Sequence, residues 1–257
     1  MNRKLTVILR TCSPVYVLHG SRYVEKSKHE IINVCASSLV NSINQVKNHH
    51  IELVVIDDHS SEECLKDIKT ILSKCKFPTR LEHRSVSGNG PSMEHVYDIV
   101  ENRVDDLWYH IEDDYLHKPE AIQDMIDSLS LFEENTEQMV AINPHDDLHR
   151  YKYQIYPSII LLGPSRHYRT VEHSTYSCMA SKKLYMTHKR YFTELVRLTT
   201  AKADYVEDQT INKVWLEEGV KLFSPIPGLA FHISTPDSAD PYLDFQQLWN
   251  STPELWK

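Results

Sequence analysis

The chain has 257 residues, 41% hydrophobic and 25% charged, the composition of a soluble globular protein with length for one large domain or two small ones. Its formal net charge of −8 argues against a general nucleic-acid binder, whose footprint is a basic patch. No run approaches the ~20 apolar residues of a membrane span, so no spanning segment is expected.

From the N-terminus, "KLTVILRT" (4–11) is apolar and β-branched and predicts a buried strand. The apolar run in "MNRKLTVILRTCSP" is too short for a signal-peptide core, which points to a cytoplasmic protein without its own anchor. Residues 29–47 place Ile31, Val34, Cys35, Leu39, Ile43 and Val46 on one helix face. "IELVVIDD" (51–58) predicts a second strand, and 60–75 a helix opened by a Ser/Glu capping box. "TRLEHRSV" (79–86) predicts a third strand and "PSMEHVYDIVENR" (91–103) a Pro-started helix. "DLWYHIEDD" (106–114) predicts a fourth strand, 119–134 a helix and "QMVAINP" (138–144) a fifth strand.

Alternating strand and helix over the first 145 residues is the pattern of a mostly parallel sheet with helices on both faces. The remainder is less regular. It offers a short strand near 158–162, a helix over 182–198, a capped helix over 203–219 ending at Gly219, and a strand, Pro-rich turn and short strand over 220–234. With no repeat, low-complexity stretch or linker, the reading is a single domain over 1–257. The five cysteines, odd in number and without CxxC spacing, read as reduced thiols.

No GxGxxG or GxxxxGK is present, so neither dinucleotide fingerprint nor P-loop explains the fold. In open sheets of this class, ligands bind beyond the carboxyl ends of the strands. Three segments fall there: "RTCSP", "DDHSS" and "EDDYL". In the last, Glu112, Asp113 and Asp114 follow an aromatic, apolar strand. Mg²⁺ or Mn²⁺ is held by one or two carboxylates plus the oxygens of a bound diphosphate, and a short acidic run at a strand end suits that task. The alternative is a solvated turn capping the next helix. Asp57 and Asp58 end the second strand, where a carboxylate can accept the imide N–H of uracil or simply cap a helix. "SVSGNGPS" (85–92) is a small-residue loop that lets the backbone approach a ligand closely.

These segments carry a family resemblance. "VILRTCSP", "VVIDDHSSEE", "SGNGPS" and "WYHIEDDYLHKPEAI" come in the order and approximate spacing of GT-A fold, nucleotide-diphospho-sugar glycosyltransferases. The chain resembles the inverting, metal-dependent branch, closely over the first 120 residues and more loosely after. The resemblance implies a single α/β domain with a nucleotide-sugar-binding half (1–120) and an acceptor-binding half (121–257). Arg10 and Thr11 would line the base, and Asp58, or else Asp57, would meet a uracil. Gly88, Asn89 and Ser92 would complete the donor loop, and Asp113 would face the ribose. Asp114, supported by Glu112 and by His232 from "PGLAFHIS", would hold Mn²⁺ or Mg²⁺. Asp208 in "VEDQTIN" would be the catalytic base, with Glu207 beside it. Two departures stand out: the first strand ends in Arg-Thr-Cys rather than a Pro-Thr-Tyr-Asn type, and the first acid of the motif is Glu.

The implied partners are a nucleotide sugar, with UDP expected, and a glycan, glycoprotein or other hydroxyl acceptor. Stand-alone forms of this kind resemble bacterial enzymes and those encoded by large viruses. Arg166, His167 and Tyr168 in "GPSRHYRT" are candidate acceptor-side residues, able to stack on sugars and pair with phosphates. Among fifteen histidines, His49, His50, His117, His145 and His149 sit in polar stretches and are expected at the surface. A nucleotidyltransferase should show a Gly- and Lys-rich loop after the first strand, which "RTCSPVYVLHGSR" is not. A non-catalytic binding protein of the same fold is disfavoured by the presence of both Asp114 and Asp208.

Overall fold

The computed structural model describes residues 2–14, 23–83, 86–153, 156–174, 177–233 and 239–257. Residues 15–22 of the loop weighed above, 84–85 of the third predicted strand, 175–176 and Ser234 lie outside the described residues. In chain order the elements are β1 (Lys4–Thr11), α1 (Lys28–Ile43), β2 (His50–Asp57), α2 (Glu62–Leu72), β3 (Thr79–His83), α3 (Asn89–Asn102) and β4 (Leu107–Glu112). Then follow β5 (Tyr115–His117), α4 (Ala121–Thr136), β6 (Val140–Ile142), α5 (Leu148–Tyr153), β7 (Ile160–Leu162), β8 (His167–Val171) and β9 (Cys178–Ser181). The chain ends with α6 (Lys182–Thr200), α7 (Val206–Gln209), α8 (Ile211–Leu216), β10 (Lys221–Ile226), β11 (Ala230–His232) and α9 (Phe245–Ser251).

The main sheet has the order β3-β2-β1-β4-β9-β6-β10-β8-β7. Only β8 and β9 run against the others, so the sheet is mostly parallel, as the alternation predicts. The central strands are apolar without alternation because both faces are covered. In β1, Leu5, Val7 and Leu9 pack toward α1, α2 and α4, while Ile8 packs toward α3 and α6. Each such side chain contributes about 1.5–3 kcal/mol when fully buried.

Helix α1 departs from the expectation of a single buried face. Twelve of its sixteen residues are buried, because a two-stranded ribbon of β5 and β11 covers its outer side together with α9. Two of its three buried serines are put to use: Ser38 Oγ accepts the His117 N–H and Ser42 Oγ accepts the Ile122 N–H. Helix α2 is capped by Ser61, which accepts from Cys64 N, one residue later than the predicted capping box. The predicted helix at 203–219 is broken at Thr210 (φ −132°, ψ −96°) into α7 and α8. All five cysteines are free thiols. Among the described residues no helix is long and apolar enough to cross a membrane.

Candidate functional site

The parallel register of β1, β2 and β4 sets three strand ends side by side. Arg10 lies opposite Glu112, and Thr11 opposite Asp57. Just beyond them Arg10, Thr11, Cys12, Asp58, Ser92, Glu112 and Asp113 line a cavity of about 100 Å³. Arg10 organises it. Its Nε donates to Ser92 Oγ at 2.9 Å, another guanidinium nitrogen donates to Asn89 Oδ1, and Nη1 lies 3.5 Å from Glu112.

The two acids ending β2 have separate roles. Asp57 is 1% exposed and accepts from Thr11 Oγ1 and from Ser60 N, so it braces the loop and does not line the cavity. Asp58 faces the cavity and accepts from Gly88 N at 2.9 Å and from His59 at 2.8 Å. Burial opposes its charge, but those hydrogen bonds outweigh burial and hold it below the usual carboxylate range. Gly88 stands at φ +123°, a backbone region open to glycine, and starts α3 at the cavity wall. Burial pushes the Cys12 thiol up to about 11, which disfavours the thiolate.

The three acids of the motif also diverge. Glu112 is matched by Arg10. Asp113 accepts from Cys12 N at 2.8 Å and from the Lys28 ammonium. Burial raises both carboxyls, partly offset by Arg10 and Lys28 respectively. Asp114 lies on the tight turn into β5, and its Oδ1 is 3.6 Å from His232 Nε2. The β5–β11 pairing creates this contact, since His232 sits opposite Tyr115 and stacks on its ring at 4.4 Å. Burial works against a charged His232, yet Asp114 and Glu112 hold its pKa above the ordinary value.

Among the described residues no three His, Cys, Asp or Glu side chains are arranged to hold a metal ion. The predicted set of Glu112, Asp114 and His232 reduces to the Asp114–His232 pair, because Glu112 is turned to Arg10. Asp114 and His232 are the two residues of that set in direct contact, and both are side chains of the type that bind divalent cations.

A second row of side chains continues from this pair and went unread in the sequence. The His145 ring lies 5.6 Å from that of His232, and its Nε2 is 3.5 Å from Asp147. Asp147 pairs with Arg150 Nε at 2.9 Å, Arg150 donates to the His173 carbonyl at 2.9 Å, and His173 Nδ1 lies 3.3 Å from Asp208. The acid motif and Asp208 are thus joined by unbroken contact. The missed signal was "INPHDD", another acidic pair directly beyond a strand. Burial brings His145 down to about 4, while Asp147, despite burial, is held far below its usual value by His145 and Arg150. His145 and His117 are 3% and 2% exposed, and the His49 side chain is 5% exposed. The expectation of surface histidines fails for these three: His145 pairs with Asp147 and His117 with Tyr109 inside the fold, and the His49 ring is covered where it meets the partly exposed Asp127.

Asp208 is half exposed and accepts from Asn212 Nδ2 at 2.8 Å. It caps nothing: α7 starts at Tyr205 with a left-handed backbone and no side-chain cap. Glu207 precedes it on the same turn, half-buried.

Of the acceptor-side candidates, Tyr168 and Arg166 are engaged inside the fold. Tyr168 is fully buried and donates to Asp124 at 2.7 Å. Arg166 is spent on Asp124, Glu120 and the carbonyls of Pro227 and Gly228. Together they clamp α4 to the turn after β10. His167 is exposed on β8. A concavity of about 790 Å³ lies at the opposite end of the sheet around Arg3, Asp106 and Glu133, whose charges are already paired with one another.

No protein-family model matches the sequence, and a search of the curated proteins found no match either. Solved structures do match. S. aureus TarS superposes with a TM-score of 0.55 at 13% identity, over 91% of this chain and 37% of that one. Its 1–349 segment gives 0.52 at 12% identity, over 85% and 57%. The same segment in complex with UDP-GlcNAc gives 0.46 at 14% identity, over 72% and 47%. This chain therefore spans less than two thirds of the TarS chains it matches. The likeness establishes a GT-A-like α/β fold, as the motif order implied.

Proposed function

We propose that the chain is a glycosyltransferase that moves a sugar from a nucleoside diphosphate donor to a hydroxyl acceptor with inversion. The observation that carries this reading is the meeting of Asp114 and His232 beside a cavity walled by Asp58, Arg10 and Asp113. A diphosphate needs cationic or metal-held surroundings, and a base and ribose need directional acceptors next to them. Asp58 is the acceptor placed for a uracil imide. Asp113, fixed by Lys28 and the Cys12 N–H, is rigid enough to position a ribose hydroxyl. The shared fold with TarS, a protein crystallised with UDP-GlcNAc and with UDP, is in keeping with a uridine donor.

In the proposed reaction the acceptor oxygen forms a bond to the anomeric carbon as the bond from that carbon to the diphosphate breaks. Asp208 takes the hydroxyl proton, and the electron pair leaves with the nucleoside diphosphate. A divalent cation held by Asp114 and His232 would neutralise charge on that leaving group. Lys28 fixes Asp113 in place, and Arg10 does the same for Glu112, so neither acid must be reoriented when a donor enters. The test is a donor screen: purified protein with Mn²⁺ and a panel of nucleotide sugars, scored by nucleotide release through slow hydrolysis. Release from UDP-sugars above the protein-free rate is the expected result; no release from any donor removes the proposal.

A further inference from the structure

Helix α5 buries none of its six residues, so it is not there to fill the core. Tyr151, which donates to Asp146, and Arg150, whose guanidinium reaches Asp147 and the His173 carbonyl, tie it down. Around that anchor the segment turns rings outward. Tyr153 and Tyr156 are 62% and 45% exposed, and His149 lies against Tyr153 with ring centroids 4.9 Å apart. These rings form one wall of a cavity of about 330 Å³, a volume in the range of small-molecule sites. Glu172 and His173 form the facing wall, with Asp147 and Arg150 between.

The polar groups on that facing wall are poised for hydroxyls. Glu172 Oε2 is buried and accepts no hydrogen bond from the described residues. His173 links the cavity directly to Asp208 at 3.3 Å. Charge narrows the occupant. The one cation of the lining, Arg150, is committed to Asp147 and a carbonyl, while Asp147 and Glu172 add negative charge. A phosphate would meet two carboxylates in the lining, with its Arg150 already engaged.

We infer that this cavity is the acceptor subsite and that it takes a neutral saccharide unit, its apolar C–H face on Tyr153 and Tyr156 and its hydroxyls on Glu172. The inference rests on the transferase reading and supplies the substrate class that reading lacks. It places the acceptor between an aromatic wall and His173, with Asp208 next along the contact row. Tyr has the character such a wall needs, a broad apolar ring at small entropic cost with a polar tip.

The experiment is saturation-transfer NMR on the full chain with methyl glycosides of glucose, galactose and N-acetylglucosamine, and with glucose 1-phosphate as the charged comparison. At least one neutral glycoside should show saturation in the wild-type protein, and glucose 1-phosphate should show less. Tyr153→Ala and Tyr156→Ala should each weaken that signal about 2- to 10-fold, the worth of one aromatic contact. Glu172→Gln, which keeps the shape, should weaken it as well. Both tyrosines are exposed, so these variants retain the fold, and a thermal melt checks this. Absence of saturation by every neutral glycoside, stronger binding of the phosphate, or variants that bind like wild type would overturn the inference. UDP binding, measured by calorimetry on the same samples with Mn²⁺, reads the donor proposal separately: its failure with glycoside binding intact would strike that proposal and not this one.

Discussion

Asp114 and His232 meet at 3.6 Å because β11 pairs with β5 in a register that seats His232 opposite Tyr115. The pairing brings a late strand to the acid motif and leaves two donors facing one space. If that space holds a divalent cation, donor binding needs the ion. UDP affinity measured by calorimetry should fall by at least about tenfold when Mn²⁺ is replaced by EDTA, and Asp114→Ala should remove the ion's effect, since changes merely around a metal site cost 10- to 100-fold. Equal affinity in Mn²⁺ and EDTA would sink the metal assignment while leaving the cavity intact.

The nucleotide should be uridine. The motive is Asp58, which is held charged by His59 and the Gly88 N–H and still has free lone pairs to offer an imide proton. UDP should raise the melting temperature more than GDP at matched concentration. Asp58→Ala should shrink the difference. A larger shift with GDP contradicts the assignment.

The sequence made the first half of the fold legible because its strands are buried on both faces and its helices carry clear starts. The same features exposed Asp58, Asp113 and Asp114, since strand ends in such a sheet are where chemistry collects. The short β5 was hidden behind the acid motif, and the later half hid α5, β8, β9 and α9, which are short or lie where sequence periodicity is weak. Arg166 and Tyr168 misled because residue type alone does not say whether a cation faces solvent or a buried carboxylate such as Asp124. The His145–Asp147 row was missed because "NPHDD" reads as an ordinary polar turn until β10 and β11 bring Ser224 and His232 against it.

Gly90 tests the packing of α3 on α6. A Cβ there would lie 2.1 Å from Thr200 Oγ1 and 2.8 Å from the Thr200 backbone. Shortening Thr200 cannot relieve the second clash, so the helices must separate. Gly90→Ala should therefore cost about 1–3 kcal/mol, although alanine is ordinarily the better helix former. A urea midpoint equal to wild type would show that the two helix ends yield without cost.

His117 should stay neutral in the folded chain well into acid. It is buried, with Nε2 against Tyr109 OH at 2.9 Å and Nδ1 against the Tyr115 carbonyl at 3.1 Å, and burial lowers its pKa to about 3. Because the folded value lies below the unfolded one near 6.5, the unfolded state binds the proton first. Its contribution to stability is fully present above pH about 6.5 and is lost as pH falls toward 3. Ring proton shifts followed by NMR should show no titration of His117 at pH 5. A midpoint near 6.5 would mean the ring is solvated and the Tyr109 contact is not formed.

Asp208 should be the base. It lies at the far end of the contact row from Asp114, next to His173 at the edge of the saccharide cavity. Were it a helix cap, Asp208→Asn would change little, because Asn caps as well as Asp. The cap role is already closed off by the left-handed Tyr205 at the start of α7. Its structural duties are a bond from Asn212 and the approach to His173, and an asparagine carbonyl can still accept from Asn212. Folding should therefore be kept, with a stability change within about 0.5 kcal/mol, as for other surface substitutions. Donor binding should also be kept, since among the described residues the contacts of this carboxylate are with His173 and Asn212 and not with the donor side. Transfer to a saccharide acceptor should fall by roughly 10²- to 10⁴-fold, the usual worth of a general base, because an amide cannot take the hydroxyl proton. The loss should appear in kcat, with the acceptor KM nearly unchanged, which separates a proton acceptor from a residue that only shapes the pocket. A folded Asp208→Asn protein that transfers at close to the wild-type rate would pass the role to Glu207, its neighbour on the same turn.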